Sequence, residues 1–369
     1  MGLNIYAPFQ CNAIGFLSNK GEKQQKTTLN KSKIAYRDTG NNIIVLKPSI
    51  DRIVFSFSPS QDFINQYDPT ENLEAYQKKI HDWVFADAAA DENNHLSFVK
   101  GVSFKKQPYA SYNINVNFQP PGAKEPILIH IDPKKPELKK PFIRIDMKPD
   151  HLNDKAMQAF RRFIRDLLIM PGGTPSYAEF LAQTVISHLE INVDMLGVRS
   201  YDLEVINYSK KGAVPAKSIK YKSPTGRTQT TYPKIKKSGG SDMVYDKRIE
   251  QLENGKEPIY GDILHSRFEA RIQKKTSFDS LNKIQNRCAK VRIRALDLKK
   301  FSKLPYTHKI FVRLAMEQSL DKALELIPPN AQPKFLKMYN GVMLDIWKPV
   351  EFWGYWKNEI AKHPLLQPK

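Results

Sequence analysis

The feature that most constrains this chain is a series of short runs in which apolar and polar residues alternate with a period of two. "FIRIDMKPD", from Phe142, places Ile143, Ile145 and Met147 on one side and Arg144, Asp146 and Lys148 on the other. "HLEINVD" sets Leu189, Ile191 and Val193 against His188, Glu190, Asn192 and Asp194. "IDRIVFSFSP" puts Ile53, Phe55 and Phe57 on one face, and "YNINVNF", "PILIHID", "DMVYDK" and "SRFEARI" follow the same rule. "YDLEVINY" (Tyr201 to Tyr208) reads as the neighbour of "HLEINVD". Successive side chains of a strand point to opposite faces, so such runs describe strands buried on one side and wetted on the other, as in antiparallel sheets.

Between these runs the period changes. Leu73 to Phe85 reads as a helix. From Asn153 the repeat is near 3.6, with Met157, Phe160, Ile164 and Leu167 on one stripe, Asn153 or Asp154 as N-cap, and Pro171, Gly172 and Gly173 as the stop. A short helix is expected at Tyr177 to Ala182. After Lys275 helical patterns dominate, punctuated by Pro328, Pro329, Pro333 and Pro349, and Trp347, Trp353 and Trp356 read as the core of a helical lobe. The fold class expected is therefore α+β: a central, mostly antiparallel sheet with helices on one face, followed by a C-terminal helical lobe. Residues 1–49 read as a flexible basic arm, 50–275 as the sheet domain and 276–369 as a mainly helical region.

Composition restricts the partners. The 369 residues carry 58 Lys plus Arg against 38 Asp plus Glu, a formal charge of +20, which calls for a polyanionic partner. Nine of those cations, Lys210, Lys211, Lys217, Lys220, Lys222, Arg227, Lys234, Lys236 and Lys237, fall between Ser209 and Ser241 with no acid among them. They read as a basic DNA-binding loop or hairpin. Cys11 and Cys288 are the only cysteines, which disfavours a disulfide framework or a thiolate zinc site and suits a reducing, cytoplasmic setting. No apolar run approaches the roughly 18 residues of a membrane span, so no membrane partner is expected.

Three of the alternating runs carry reactive groups on their polar face: Glu190 and Asp194 in the first, Tyr245 and Lys247 in the second, Arg267, Glu269 and Arg271 in the third. As neighbours in one sheet they would gather carboxylates, a phenol and cations. Carboxylates without thiols suit Mg²⁺ or Mn²⁺. A hard divalent ion stabilises the charge that develops in phosphoryl transfer, and a nearby ammonium such as that of Lys247 favours the phenolate of a tyrosine whose ordinary pKa is about 10. The same letters also fit cross-strand salt bridges on a wet sheet, Glu190 to Arg267 for example.

"FIRIDMKPDHL", "HLEINVD", "VYDKRIEQ" and "HSRFEARI", in this order, resemble the replication initiation factors of rolling-circle plasmids and filamentous phages, a superfamily that includes relaxases of integrative conjugative elements. "IDRIVFSF" resembles the family's opening strand and the tryptophan-rich end its C-terminal region, so the likeness runs from about Ile50 onward. The resemblance implies a nicking and DNA-binding domain over residues 50–275 and Tyr245 as the nucleophile, with Lys247 and Arg267 beside it. It implies Glu190, Asp194 and Glu269 as ligands of Mg²⁺ or Mn²⁺, and a structural role for Arg144 and Asp146. The function implied is initiation of rolling-circle replication by nicking origin DNA through a 5′-phosphotyrosine, then rejoining strands. The implied partners are origin DNA as a single strand or hairpin, a host helicase and polymerase, and a second copy in a homodimer.

His188 and Glu190 stand where the family usually has Arg and Asp, which motivates an alternative: a DNA-binding regulator or origin-recognition protein of the same fold without the chemistry. No His-hydrophobe-His motif exists among the eight histidines, so the chain does not resemble the paired-His nicking enzymes, nor does it show the Arg and His spacing of a tyrosine recombinase. Tyr232, in "TQTTYPKI", is not expected to be the nucleophile. No aromatic single-strand platform stands out in the sequence, which argues against an RNA-binding protein.

Overall fold

A computed structural model describes residues 33–90, 96–98, 111–135, 138, 140–170, 172–207, 219–222, 228–234, 242–273 and 275–366. In chain order the first elements are β1 (Ile34–Asp38), β2 (Ile43–Leu46), β3 (Ser49–Phe57), α1 (Gln61–Asn65), α2 (Leu73–Ala90), β4 (Leu96–Phe98), β5 (Tyr112–Phe118), β6 (Ile127–Pro133) and β7 (Ile143–Met147). Then come α3 (Asp154–Leu167), α4 (Tyr177–Gln183), β8 (Val185–Leu196), β9 (Leu203–Asn207), β10 (Ile219–Lys222), β11 (Thr228–Lys234), β12 (Asp242–Asp246), α5 (Lys247–Glu253) and β13 (His265–Ile272). The chain continues through β14 (Thr276–Ser277), β15 (Val291–Leu296), α6 (Leu298–Ser302), α7 (Tyr306–Glu317), α8 (Leu320–Glu325), α9 (Gln332–Gly341), β16 (Met343–Asp345) and α10 (Pro349–Lys362). The class is α+β, with antiparallel pairing throughout the registers described and helices prevailing toward the C-terminus.

The chain divides into two compact units. One takes the residues up to Pro48, Asn192–Ala270 and Asn286–Trp356; the other takes Ser49–Ile191, Arg271–Gln285 and the residues from Lys357 on. The division cuts β8 and β13, so neither unit is a continuous stretch of sequence.

In the second unit the strand order is β8, β3, β7, β6, β5, β4. Register pairs Phe55 with Ile145 and Ile145 with Ile129, so the apolar residues of alternating runs line up across strands on one face. Phe55, Phe57, Ile145, Ile129 and Ile131 are fully buried. Phe180 of α4 packs against Phe55 and Phe57, at ring-centroid distances of 6.2 and 5.5 Å. The amphipathic α3 buries Met157, Phe160, Ile164 and Leu167, the stripe read from the sequence, and Asn153 caps it by accepting from Ala156 N at 2.9 Å.

In the first unit the order is β10, β11, β12, β13, β8, with β2 paired to the end of β8 and β1 to β2. A separate three-stranded sheet runs β16, β15, β9. Over its buried face Leu296, Phe311, Val312, Met316, Tyr339 and Met343 form the core of the C-terminal helices. Trp347, Trp353 and Trp356 are buried, and Trp347 stands edge-on to Phe268 of β13 at 5.0 Å.

Two expectations change. Residues 33–49, read as part of the arm, include β1 and β2, and all four residues of β2 are buried. Gly197, at φ 83, lets the chain pass the backbone of Asn42: a Cβ there would meet Asn42 O at 2.1 Å. "YDLEVINY" is not the partner of "HLEINVD", because β9 pairs with β15, Ile293 opposite Val205. Alternation marks a strand but carries no record of which strand lies beside it.

Candidate functional site

β12 and β13 pair antiparallel with Tyr245 opposite Arg267 and Met243 opposite Glu269. Directly opposed residues share a face, so Tyr245, Arg267 and Glu269 stand together, while Val244 and Phe268 point to the other side, where Trp347 lies. The Tyr245 hydroxyl donates to Glu269 Oε2 at 3.0 Å, and Tyr245 is 7% exposed. A buried phenol needs an acceptor, and here it is an acid.

Asp194 of β8 receives a bidentate pair from Arg267, Nε to Oδ1 at 2.6 Å and Nη2 to Oδ2 at 3.0 Å, with His265 Nε2 2.9 Å from Oδ1. Burial alone would push this carboxyl up, but the charges of Arg267 and His265 outweigh it and hold Asp194 well below the usual carboxylate range. Both oxygens are therefore occupied by a guanidinium.

The position of Lys247 differs from the alternation-based reading. The strand ends at Asp246, whose side chain accepts from Ile249 N at 3.0 Å and caps α5, so Lys247 is the first residue of a helix. Its ammonium bonds Glu250 at 2.8 Å and lies 5.6 Å from the centre of the Tyr245 ring. It thus faces the ring, and the partner of the hydroxyl is Glu269. An Asp three residues before a helical donor was the signal for this cap in "YDKRIE".

Glu190 of β8 lies 2.8 Å from His188 Nε2 and 3.3 Å from Arg271 Nε. In the second unit Asp51 comes beside the sequence-predicted Glu190, each offering a carboxylate oxygen within 4.8 Å of the other. This acidic pair can hold a metal ion. Asp194, also predicted as a ligand, is taken up instead by Arg267. Asp51 was not singled out in the sequence; its signal is an acid at the start of the opening strand, in "SIDRIVF".

Arg144 and Asp146 fit the structural role. Asp146 is buried and takes both Nε and Nη2 of Arg52, at 2.8 and 2.6 Å, plus Arg144 Nη2 at 3.1 Å. Of the basic residues, Lys210, Lys211, Lys217, Arg227, Lys236 and Lys237 lie outside the described residues; Lys220 and Lys222 fall on β10 and Lys234 on β11. Cys11 lies outside the described residues, and Cys288 is buried as a free thiol. Among the described residues no helix is long and apolar enough to cross a membrane. No protein-family model matches the chain, and no curated protein matches it.

Proposed function

We propose that this protein is a metal-dependent DNA strand-nicking and rejoining enzyme of the rolling-circle initiation type, with Tyr245 as nucleophile. The observation that carries the reading is the 3.0 Å hydrogen bond from the Tyr245 hydroxyl to Glu269. A phenol already donating to a carboxylate has an acceptor for its proton on attack. In the reaction the phenolic oxygen bonds to the phosphorus of a DNA phosphodiester and Glu269 receives the phenolic proton. The bond from phosphorus to O3′ breaks, O3′ takes a proton from solvent water and leaves as a hydroxyl, and the 5′ phosphate stays on Tyr245. Return attack by the 3′ hydroxyl reverses each step and reseals the strand.

Asp51 and Glu190 would hold Mg²⁺ or Mn²⁺, which when bound would stabilise the negative charge that builds on the phosphoryl oxygens. Arg267 is a positioning residue, fixed by Asp194, directly across from the nucleophile. The charge of +20 suits origin DNA as the partner, with a helicase, a polymerase and a second copy belonging to the same reading. The test is to incubate the protein and Mg²⁺ or Mn²⁺ with single-stranded oligonucleotides of randomised sequence and look for a denaturation-resistant adduct. The expected adduct vanishes with EDTA and with Tyr245→Phe; an adduct that survives Tyr245→Phe overturns the assignment.

A second reading, a DNA-binding regulator of the same fold, is favoured by the burial of Tyr245 and by His188 and Glu190 at the departing positions. Such a protein binds origin duplex with steep salt dependence and is indifferent to EDTA and to Tyr245→Phe.

A further inference from the structure

The β10–β12 end of the first unit's sheet holds a row of side chains in register. Tyr221 of β10 is paired with Thr230 of β11, Thr230 with Tyr245 of β12, and Tyr245 with Arg267 of β13. Residues opposed in this way lie on the same face, so Tyr221 shares the face that carries Tyr245. Tyr221 is 56% exposed, although it sits on a terminal strand of the sheet order. Its ring is held by Tyr232, whose ring meets it edge-on at 5.5 Å and 77°. Two tyrosines eleven positions apart in the chain thus make one braced aromatic surface, open to solvent and two strands from the nucleophile.

We propose that Tyr221 is a base-stacking residue that fixes the substrate of this site as single-stranded DNA; this rests on the nicking reading above. An exposed aromatic face that a neighbouring ring keeps from rotating is suited to accept a nucleobase, because every base has a π face and little ordering of the tyrosine remains to be done. Strands lie about 4.8 Å apart, which puts Tyr221 about 10 Å from Tyr245 along the row. A stacked strand advances about 3.4 Å per nucleotide, so the base on Tyr221 lies within about three nucleotides of the phosphodiester attacked. A base paired inside a duplex has no free face to offer, so the row selects an unpaired strand.

The experiment measures binding of fluorescein-labelled dT12 to the full chain at several salt concentrations, with Tyr245→Phe as the parent so that no covalent product forms. Added to that parent, Tyr221→Ala is expected to weaken dT12 binding by roughly 5- to 150-fold, the range for loss of one stacked base. Tyr221→Trp restores it, Tyr221→Leu does not, and the slope of affinity against salt is unchanged because no phosphate contact is lost. Affinity for a twelve-base-pair duplex and the thermal midpoint stay at the parent values. The proposal is overturned if Tyr221→Ala binds dT12 as the parent does, if Tyr221→Leu binds as well as Tyr221→Trp, or if duplex binding falls by the same factor. Binding of dT12 is read without chemistry, so a failure here leaves the nicking reading intact. A failure of that reading appears instead in the adduct assay.

Discussion

Two Arg–Asp pairs with buried carboxylates, Arg267 with Asp194 and Arg52 with Asp146, have nearly the same geometry and very different surroundings. Both are bidentate, with donor distances of 2.6 and 3.0 Å in one and 2.8 and 2.6 Å in the other, and both carboxylates come from alternating strands. Asp146 has a second guanidinium, Arg144, and across the strands His130 lies opposite Arg144. That neighbourhood has a surplus of cations and is satisfied without a further ion. Beside Arg267, by contrast, stand a phenol and a second carboxylate, Tyr245 and Glu269, hydrogen-bonded to each other. An Arg–Asp pair is thus common to scaffold and site; the excess of carboxylate beside a phenol is what separates them.

The largest effect that should divide the two regions is on chemistry. Glu269→Gln is expected to slow adduct formation by roughly 10²- to 10⁴-fold, the usual loss for a proton acceptor, while Asp146→Asn leaves the rate of the folded protein unchanged. Quench-flow on a nicking substrate checks both, and equal rates for Glu269→Gln and its parent would erase the distinction.

Stability should split next. Arg267→Met leaves the buried Asp194 carboxylate with His265 in place of a guanidinium and is expected to cost about 3–5 kcal/mol in denaturant unfolding. Arg52→Met should cost about 1 kcal/mol or less, because Arg52 is 37% exposed and Arg144 still faces Asp146. Equal losses would mean that burial of the pair, rather than what remains beside the acid, sets the cost.

Acid should probe the second unit through its histidines. Burial first, then the charge of Arg144, push His130 down to about 4, and burial pushes His363 down to about 4. Both are depressed bases, so the unfolded chain binds protons that the folded chain refuses between about pH 6.5 and 4. Their contribution is whole above about pH 6.5 and declines as pH falls through that window, by at most about 1.4 kcal/mol per pH unit for each. Unfolding free energies measured across the window should show this slope, and His130→Asn should flatten it. The smallest effect is local: Arg144→Met removes a nearby positive charge and should raise the His130 pKa, seen by NMR titration of the ring protons. A fall would contradict the cation surplus assigned to that region.

Much of this was legible beforehand, where one element's own residues decide the outcome. The α3 stripe and its Asn153 cap, and the sharing of one face by Arg267 and Glu269 within their strand, follow from period and pleat alone. What depends on a partner far along the chain was not. Asp51 comes beside Glu190 only through the fold. Lys247 left the strand because Asp246 caps a helix at that point, and β2 is buried although polar residues precede it. The Tyr221 and Tyr232 pair exists only because β10 and β11 fold back on each other, which is why no aromatic platform stood out in the sequence.

The central claim is that the phenol hydrogen-bonded to Glu269 is the group that takes up DNA. The most direct measurement is to form the adduct with Mn²⁺ on a single-stranded oligonucleotide, digest protein and DNA, and locate the nucleotide by peptide mass spectrometry. The account predicts a 5′-phosphoryl nucleotide on Tyr245, in the peptide containing "SDMVYDK". A nucleotide carried by Tyr232, Tyr221 or any other residue would contradict it.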